Sequence, residues 1–149
     1  MLGIISKMFG GNKSEKDVKK IMPDVDKAKV FYASYATLSN DELRAKTVEF
    51  KNRIKEFLAP TDAVIQEKKD NAETLPITDI EGRDTIYKEI DDLQKGRNEK
   101  IEEILLQILP ETFAVVKETS RRFKENESIT VIATELDREL AAKKKQCNN

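Results

Sequence analysis

The sequence predicts an all-α protein of extended helices with a projecting charged helical hairpin. Of its 149 residues, 38% are hydrophobic and 37% are charged, a balance typical of long helices with broad hydrated faces. Only five glycines and four prolines are present, too few for the many tight turns of a strand-rich fold. Apolar side chains recur at spacings of three and four over most of the chain, as amphipathic helices require.

Residues 1–13 form a basic amphipathic segment. Its apolar side chains fall roughly on one helical face, and Gly10 and Gly11 end it. Residues 1–22 carry five lysines and two carboxylates, so a basic start is joined to an acidic body in a chain of net charge −1. Apolar side chains inserted at a lipid headgroup boundary, with lysines meeting anionic lipid, would give this segment a membrane or partner docking role. A packed or disordered terminus is an equally weighted alternative.

The next segment predicts two consecutive helices. Ser14 with Asp17 favours a cap for a short helix that reaches Met22. Pro23 fits the first position of a second helix, which should stop near Leu38. The spacing of its apolar side chains predicts a core stripe of Val25, Ala28, Tyr32 and Tyr35.

Ser39 is the strongest helix cap in the sequence. Its hydroxyl is placed to accept from the backbone N–H of Glu42, whose carboxylate can reach back to the N–H of Ser39. Leu38 and Leu43 occupy the two positions of a hydrophobic staple. These signals predict a helix over 40–58, with an apolar stripe of Leu43, Thr47, Phe50, Ile54 and Leu58, and a break at Pro60.

Residues 62–109 predict the charged helical hairpin. Residues 62–73 are charged and weakly helical, and a turn follows at 74–77. Thr78 with Glu81 resembles a capping box, and the following periodicity predicts a helix over 79–109 that Pro110 ends. Its stripe comprises Ile86, Ile90, Leu93, Arg97, Ile101, Ile104 and Ile108.

The last third predicts two shorter helices around a β-branched run. Helix 111–124 carries a short apolar face made of Phe113, Val116, Ser120 and Phe123. Residues 128–134 are β-branched and permit at most one lone strand. Thr134 with Asp137 should cap a final helix to about Ala142, with 143–149 a frayed tail. Apolar faces left without a partner favour self-association.

The chain carries no catalytic, cofactor-binding or metal-ligating set that the sequence reveals. It contains no histidine, and none of its five glycines is followed by the Lys-Ser or Lys-Thr of a phosphate-binding loop. Adjacent carboxylates such as Asp91 and Asp92 point about 100° apart on a helix and indicate a solvated face. The single cysteine, Cys147, indicates a reducing compartment. The near-neutral net charge gives no sign of nucleic-acid binding.

Two blocks of the chain resemble the start of the SecA preprotein translocase ATPases. The first is Leu38-Ser39-x-Asp41-Glu42-Leu43-x-x-Lys46-Thr47-x-Glu49-Phe50. The second is Leu109-Pro110-Glu111-x-Phe113-Ala114-Val115-Val116-Lys117-Glu118. The opening Lys7-x-Phe9-Gly10 is similar to the basic apolar start of that family, and the charged hairpin resembles an insertion of some bacterial branches.

The resemblance implies a role in protein export. SecA proteins are cytosolic ATPases that dock on the inner membrane and push preproteins through the SecY channel. ATP and Mg are implied for the full-length family, but its Gln segment and its Gly-Glu-Gly-Lys-Thr loop do not occur here, so no nucleotide-binding residue carries over. By resemblance, membrane and channel docking falls on Leu2, Ile4, Ile5, Lys7, Met8 and Phe9.

We therefore expect an N-terminal translocase region at 14–142, preceded by the basic segment 1–13. Its expected partners are the SecY channel, an anionic membrane surface and a second copy, with preproteins engaged only in the full-length context. Its expected location is cytoplasmic, peripheral to the inner membrane, and the chain alone should be catalytically inactive. The tail Lys143–Asn149 is unlike the family's continuation and suggests an expression fragment, a truncated gene or a frameshift. The alternatives are a stand-alone helical interaction protein and a purely structural hairpin.

Overall fold

A computed structural model describes residues 13–147, with side chains described for 13–144. Four helices follow in order: α1 (Lys13–Tyr35), α2 (Asn40–Thr74), α3 (Ile80–Glu125) and α4 (Glu135–Cys147). The described residues include no strand, so the all-α prediction is confirmed. The division into segments 1–13, 14–142 and 143–149 stays a prediction.

Helix α2 begins as the sequence predicts, at a complete capping box. The backbone N–H of Glu42 donates to the Ser39 hydroxyl at 3.2 Å, and the N–H of Ser39 donates to the Glu42 carboxylate at 2.7 Å. Leu43 is buried and packs with half-buried Leu38, as the staple requires. The cap also lowers the pKa of Glu42, mainly through the hydrogen bond from the Ser39 backbone.

Three predicted breaks at prolines are wrong. Pro23, Pro60 and Pro110 all lie inside continuous helices. A proline in a helix interior costs about 3 kcal/mol, because it removes an N–H donor and crowds the preceding turn. The carbonyls that lose a donor to Pro60 and Pro110 belong to the exposed residues Glu56 and Leu106, where water can bond them. Packing along the paired helices offsets the remaining cost.

The cap of α3 also differs from its prediction. Asp79, and not Thr78, is the N-cap, and its carboxylate accepts from the backbone N–H of Gly82 at 3.0 Å. Aspartate and threonine can both cap the free N–H groups at the start of a helix. Here the turn at Pro76, closed by the hydrogen bond from the N–H of Asp79 to the Pro76 carbonyl, places Asp79 immediately before the first residue of α3. The helix then runs from Ile80 to Glu125.

The core lies where three helices meet. Helices α1 and α2 both pack against the second half of α3, where one buried cluster joins Tyr35, Leu43 and Ala114. A second cluster joins Phe50 of α2 to Ile104 and Ile108 of α3. We call this region the three-helix end.

Beyond the three-helix end, α2 and α3 continue as an antiparallel pair that we call the arm, residues 61–74 and 80–100. Asp62 pairs with Arg97, and Lys68 pairs with Glu89 at 2.6 Å. The buried side chains of the arm are few, among them Ile65, Ala72 and Ile90. This is the charged helical hairpin that the sequence predicts.

The segment 126–134 is irregular, so the strand at 128–134 is not formed. Its backbone groups bond side chains of α2: the Asn40 amide donates to the Thr130 carbonyl at 3.0 Å, and the N–H of Ile132 donates to the Asp41 carboxylate at 3.0 Å. Because this β-branched run has no partner strand, its backbone groups form hydrogen bonds with side chains instead. Thr134 and Asp137 cap α4 as predicted, but the helix extends to Cys147, past the expected end at Ala142.

Candidate interaction surfaces and the buried charge cluster

The sequence-predicted docking residues cannot be placed. Leu2, Ile4, Ile5, Lys7, Met8 and Phe9 all lie outside the described residues, so their docking role stays a prediction. The described part of the chain contains a buried charge cluster and several open apolar cavities, two of them at the three-helix end.

Glu118 of α3 is a fully buried carboxylate. Arg121 donates to both of its oxygens, at 2.9 and 2.7 Å, and Arg122 donates to Oε1 at 2.8 Å. These bonds, those from Arg121 first, lower the pKa of Glu118 against the opposing effect of burial. The carboxylate is therefore charged and fully committed to its two partners.

Arg122 joins the cluster to the corner between α1 and α2. Its guanidinium donates to the carbonyls of Tyr35 at 3.2 Å and Leu38 at 2.7 Å, and to the side-chain oxygen of Asn40 at 2.7 Å. A cation at the carbonyl end of a helix satisfies orphan acceptors and complements the helix dipole. We call this arrangement the Arg122 clamp, because one side chain holds three helices together.

A second polar contact lies on the other side of Tyr35. Glu111 of α3 accepts from Arg53 at 2.7 Å and from the Tyr35 hydroxyl at 3.4 Å. Burial, followed by the negative charge of Glu111, raises the pKa of Tyr35 to about 12. Among the described residues, every buried side-chain nitrogen and oxygen has a hydrogen-bond partner, so these charges fix helices in place.

Helix α4 is attached to α2 by an ion pair at its first turn. Arg44 donates to Asp137 at 2.7 Å, while Asp137 also accepts from the backbone and hydroxyl of Thr134. Arg44, followed by the Thr134 bonds, holds the pKa of Asp137 well below its usual range.

The first open cavity is an apolar groove of about 450 Å³ between α1 and α3, which we call the α1–α3 groove. Its apolar lining comprises Ile21, Val25, Ala28, Leu109, Phe113 and Ala114. Asp24, Lys29 and Lys117 stand at its edges, and Lys117 also lies 4.4 Å from the ring centre of Tyr32. Phe113 is 60% exposed, so the floor of the groove faces solvent.

The second cavity, of about 440 Å³, lies between α2, α3 and the 126–134 segment. Leu43, Val115, Phe123 and Val131 supply its apolar surface, and Asp137 closes one side. The predicted apolar face of α3 is thus real but open, since Val116 is 57% and Phe123 68% exposed. The face that α3 buries instead carries Ala114 and Glu118.

The buried cluster of Glu118, Arg121 and Arg122 was not predicted from the sequence. Glu118 lies three and four residues before Arg121 and Arg122, a spacing that signals helical ion pairs but says nothing about burial. The main-chain acceptors of Arg122 lie more than eighty residues earlier, and no local pattern connects them.

Neither a metal-binding cluster nor a membrane-spanning helix is found among the described residues. No group of three or more His, Cys, Asp or Glu side chains in 13–147 is placed to hold a metal ion. None of the helices in this range is both long and apolar enough to cross a bilayer.

A long helical arm joined to a three-helix end places the chain in the class of all-α proteins with a projecting helical hairpin. Within that class the chain belongs to the SecA family, since residues 5–134 match the family described as the SecA DEAD-like domain. The resemblance predicted from the two sequence blocks is confirmed.

The curated relatives agree with this family. The protein translocase subunit SecA of Flavobacterium psychrophilum is 50% identical over 144 residues, 97% of this chain and 13% of that protein. The subunit of Phocaeicola vulgatus is 50% identical over 141 residues, 95% of this chain and 12% of that protein. The subunit of Parabacteroides distasonis is 46% identical over 139 residues, 93% of this chain and 12% of that protein. The chain thus spans only 12–13% of the length of these relatives. No solved structure matches it.

Proposed function

We propose that this chain is the N-terminal element of a SecA-type protein translocase, which in full length couples ATP hydrolysis to the export of preproteins through the SecY channel. The observation that carries the proposal is the identity of 50% to a translocase subunit over 97% of the chain. By the family resemblance ATP and Mg would bind the full-length protein, outside the residues of this chain, whose sequence holds no phosphate-binding loop.

Within that machine the chain would serve in docking and self-association. Residues 1–9 would engage an anionic membrane and the channel from the cytoplasmic side, since their apolar side chains flank Lys7 and open a stretch, 1–22, that carries five lysines against two carboxylates. The open apolar face of α3, with Val116 and Phe123, would meet a second copy or the rest of the translocase.

The alternative is a stand-alone helical interaction protein without catalytic activity. It is favoured by the way the described charges are satisfied within the chain itself, as in the Arg122 clamp. A domain that closes its own polar network needs no motor to remain folded.

Vesicle sedimentation tests the docking role. We expect the chain to bind vesicles rich in phosphatidylglycerol and to lose about tenfold or more in affinity when Leu2, Ile5 and Phe9 are replaced by serine. A matched triple replacement of Val30, Ile77 and Ile132, which are 71%, 87% and 76% exposed in the described structure, should leave binding unchanged. Equal losses in the two triple variants, or unchanged binding in the first, would contradict docking through residues 1–9.

A chimera separates the translocase role from the stand-alone role. The matching 144-residue segment of the Flavobacterium psychrophilum subunit would be replaced by this chain, and export of a secreted reporter would be measured in cells that depend on the chimera. Sustained export supports the proposal, and blocked export at normal protein levels opposes it. Calorimetry with Mg-ATP on the chain alone should be silent; saturable binding would place a nucleotide site within it.

A further inference from the structure

The segment 126–134, which we call the strap, and the helix α4 that follows it have little packing against the rest of the chain. Among the described side chains of 126–144, only Ile129 and Asp137 are half-buried, and all the others are exposed. The extensive helix packing of the described residues joins α3 to α1 and to α2, and α4 has no share in it. Apolar burial therefore contributes little to the position of α4.

Three polar contacts from the first turn of α2 hold the strap and α4 instead, and we call them the latch. The Asn40 amide donates to the Thr130 carbonyl at 3.0 Å. Both oxygens of the Asp41 carboxylate accept from the N–H of Ile132, at 3.0 and 3.2 Å. Arg44 supplies the ion pair with the first turn of α4 at 2.7 Å. All three contacts are exposed, so water competes for the same groups and each contact is weak.

The strap also spans a cavity instead of a filled core. The space of about 440 Å³ between α2, α3 and the strap is lined on the strap's side by Ile129 and Val131. Val131 is 41% exposed even with the strap in contact with α2. Because the cavity leaves these side chains with few neighbouring atoms, few dispersion contacts are lost when the strap moves away.

We propose that the strap and α4 move as one unit, which the latch holds on the first turn of α2 and which moves away from it when the latch opens. Segments that open at a low free energy combine few buried apolar contacts with exposed hydrogen bonds, and 126–144 has both features. The open state is a minor one, on the order of 1% of molecules. The movement requires no lipid, channel or nucleotide, so it is independent of the proposed translocase function.

Asn40 couples the latch to the Arg122 clamp. Its side-chain oxygen accepts from Arg122 at 2.7 Å, while its side-chain nitrogen donates to the Thr130 carbonyl. A guanidinium only donates and a carbonyl only accepts, so an amide can bridge the two groups and a carboxylate cannot. Since Arg122 fixes the orientation of the amide, the clamp directs its nitrogen toward the strap.

An isosteric substitution separates the two halves of this bridge. Asn40→Asp keeps an oxygen for Arg122 but sets a second oxygen against the Thr130 carbonyl, where neither group can donate. Beside the new carboxylate lie two cations, Arg121 and Arg122, and one anion, Asp41. A negative charge also suits the first turn of a helix, so α2 and the clamp should remain formed.

Hydrogen exchange read by NMR measures the latch through the N–H of Ile132, whose hydrogen bond runs to Asp41 and not to Asn40. At neutral pH we expect Asn40→Asp to speed exchange at Ile132 about tenfold, with no change at Ile104 in the core. Asn98→Asp adds the same charge at an exposed position of the arm and should leave exchange at Ile132 unchanged.

Distances between two spin labels test whether α4 moves together with the strap. In a Cys147→Ser background, labels at Lys51→Cys on α2 and Glu139→Cys on α4, both exposed positions, should report one main distance and a minor second one. Arg44→Gln removes the ion pair with α4 and should raise the minor population several-fold. Asn40→Asp should raise it about tenfold.

Two results would overturn the proposal. One is exchange at Ile132 that keeps its wild-type rate in both Asn40→Asp and Arg44→Gln. The other is a single label distance in every variant, which would mean that α4 stays fixed while the strap opens alone. Because Arg44 makes no contact within the Arg122 clamp, Arg44→Gln decides the question even if Asn40→Asp disturbs the fold.

Discussion

The three-helix end and the arm are built from the same two helices but are held together differently. At the three-helix end, apolar clusters surround Tyr35 and Phe50, and a buried carboxylate is locked by two arginines. In the arm, surface ion pairs such as Lys68 with Glu89 flank a thin line of buried side chains. Buried and fully bonded charges are costly to break, whereas exposed pairs contribute about 0–1 kcal/mol. Stability is therefore concentrated at one end of a continuous helical pair.

The largest effect should come from the Arg122 clamp. Arg122→Ala removes the donors of the Tyr35 and Leu38 carbonyls and half of the charge that balances Glu118, so the free energy of unfolding should fall by about 3–5 kcal/mol. Urea denaturation followed by circular dichroism measures this loss. Lys124→Ala, at an exposed position on the same helix, should stay within about 0.5 kcal/mol. A loss below about 1 kcal/mol for Arg122→Ala would mean that the clamp is dispensable.

Truncating a buried isoleucine should lower the free energy of unfolding more at the three-helix end than in the arm. Ile104 and Ile90 are both 4% exposed, but Ile104 packs in a cluster while Ile90 lies between two helices only. We expect Ile104→Ala to cost about 3–4 kcal/mol and Ile90→Ala about 2 kcal/mol, because two helices can close over a cavity more easily than three. Hydrogen exchange should show the arm opening first. Ile77→Ala, at an 87% exposed side chain, is the control.

Alkaline pH should weaken the three-helix end through Tyr35. Since its pKa is raised from 10.0 to about 12 in the folded chain, the unfolded chain ionises first. The free energy of unfolding should hold below pH 10 and fall by roughly 2 kcal/mol as the pH rises to about 12. Tyr35→Phe should remove this part of the pH dependence. A wild-type curve with the same slope as the Tyr35→Phe curve would contradict the assignment.

The smallest effect should come from the ion pairs of the arm. Lys68→Ala breaks the exposed pair with Glu89 and should cost less than about 1 kcal/mol, because water screens both partners. Added salt should reduce even this difference. Thermal unfolding of the two proteins at low and high salt measures it. A loss comparable to that of Arg122→Ala would show that the arm is stabilised electrostatically.

Local chemistry in the sequence predicted much of the fold. The Ser39 cap, the Leu38–Leu43 staple and the stripe through Phe50 depend on neighbours within a few residues. The cap and the staple are confirmed, and so is the stripe except at Thr47, which is exposed. The breaks at Pro60 and Pro110 were wrong because packing between distant segments offsets a local penalty.

The buried cluster shows where sequence reasoning stops. Glu118 and Arg122 have the spacing of an ordinary surface ion pair. They are buried because the corner between α1 and α2 packs over them in the folded chain. The periodicity of the sequence predicts the apolar face that carries Phe113 and Phe123. Its exposure to solvent, however, depends on which face of α3 packs against α1 and α2.

The Arg122 clamp also imposes an order on synthesis. Arg122 lies 84 residues after the Leu38 carbonyl that it binds. At about 5–20 residues per second, roughly 4 to 17 seconds pass between the translation of the two. During that interval the corner between α1 and α2 is shaped by the Ser39 cap and, once Glu111 and Ala114 have been translated, by their contacts with Tyr35. The corner between α1 and α2 therefore receives its last stabilising hydrogen bonds only after Arg122, in the second half of the chain, has been translated.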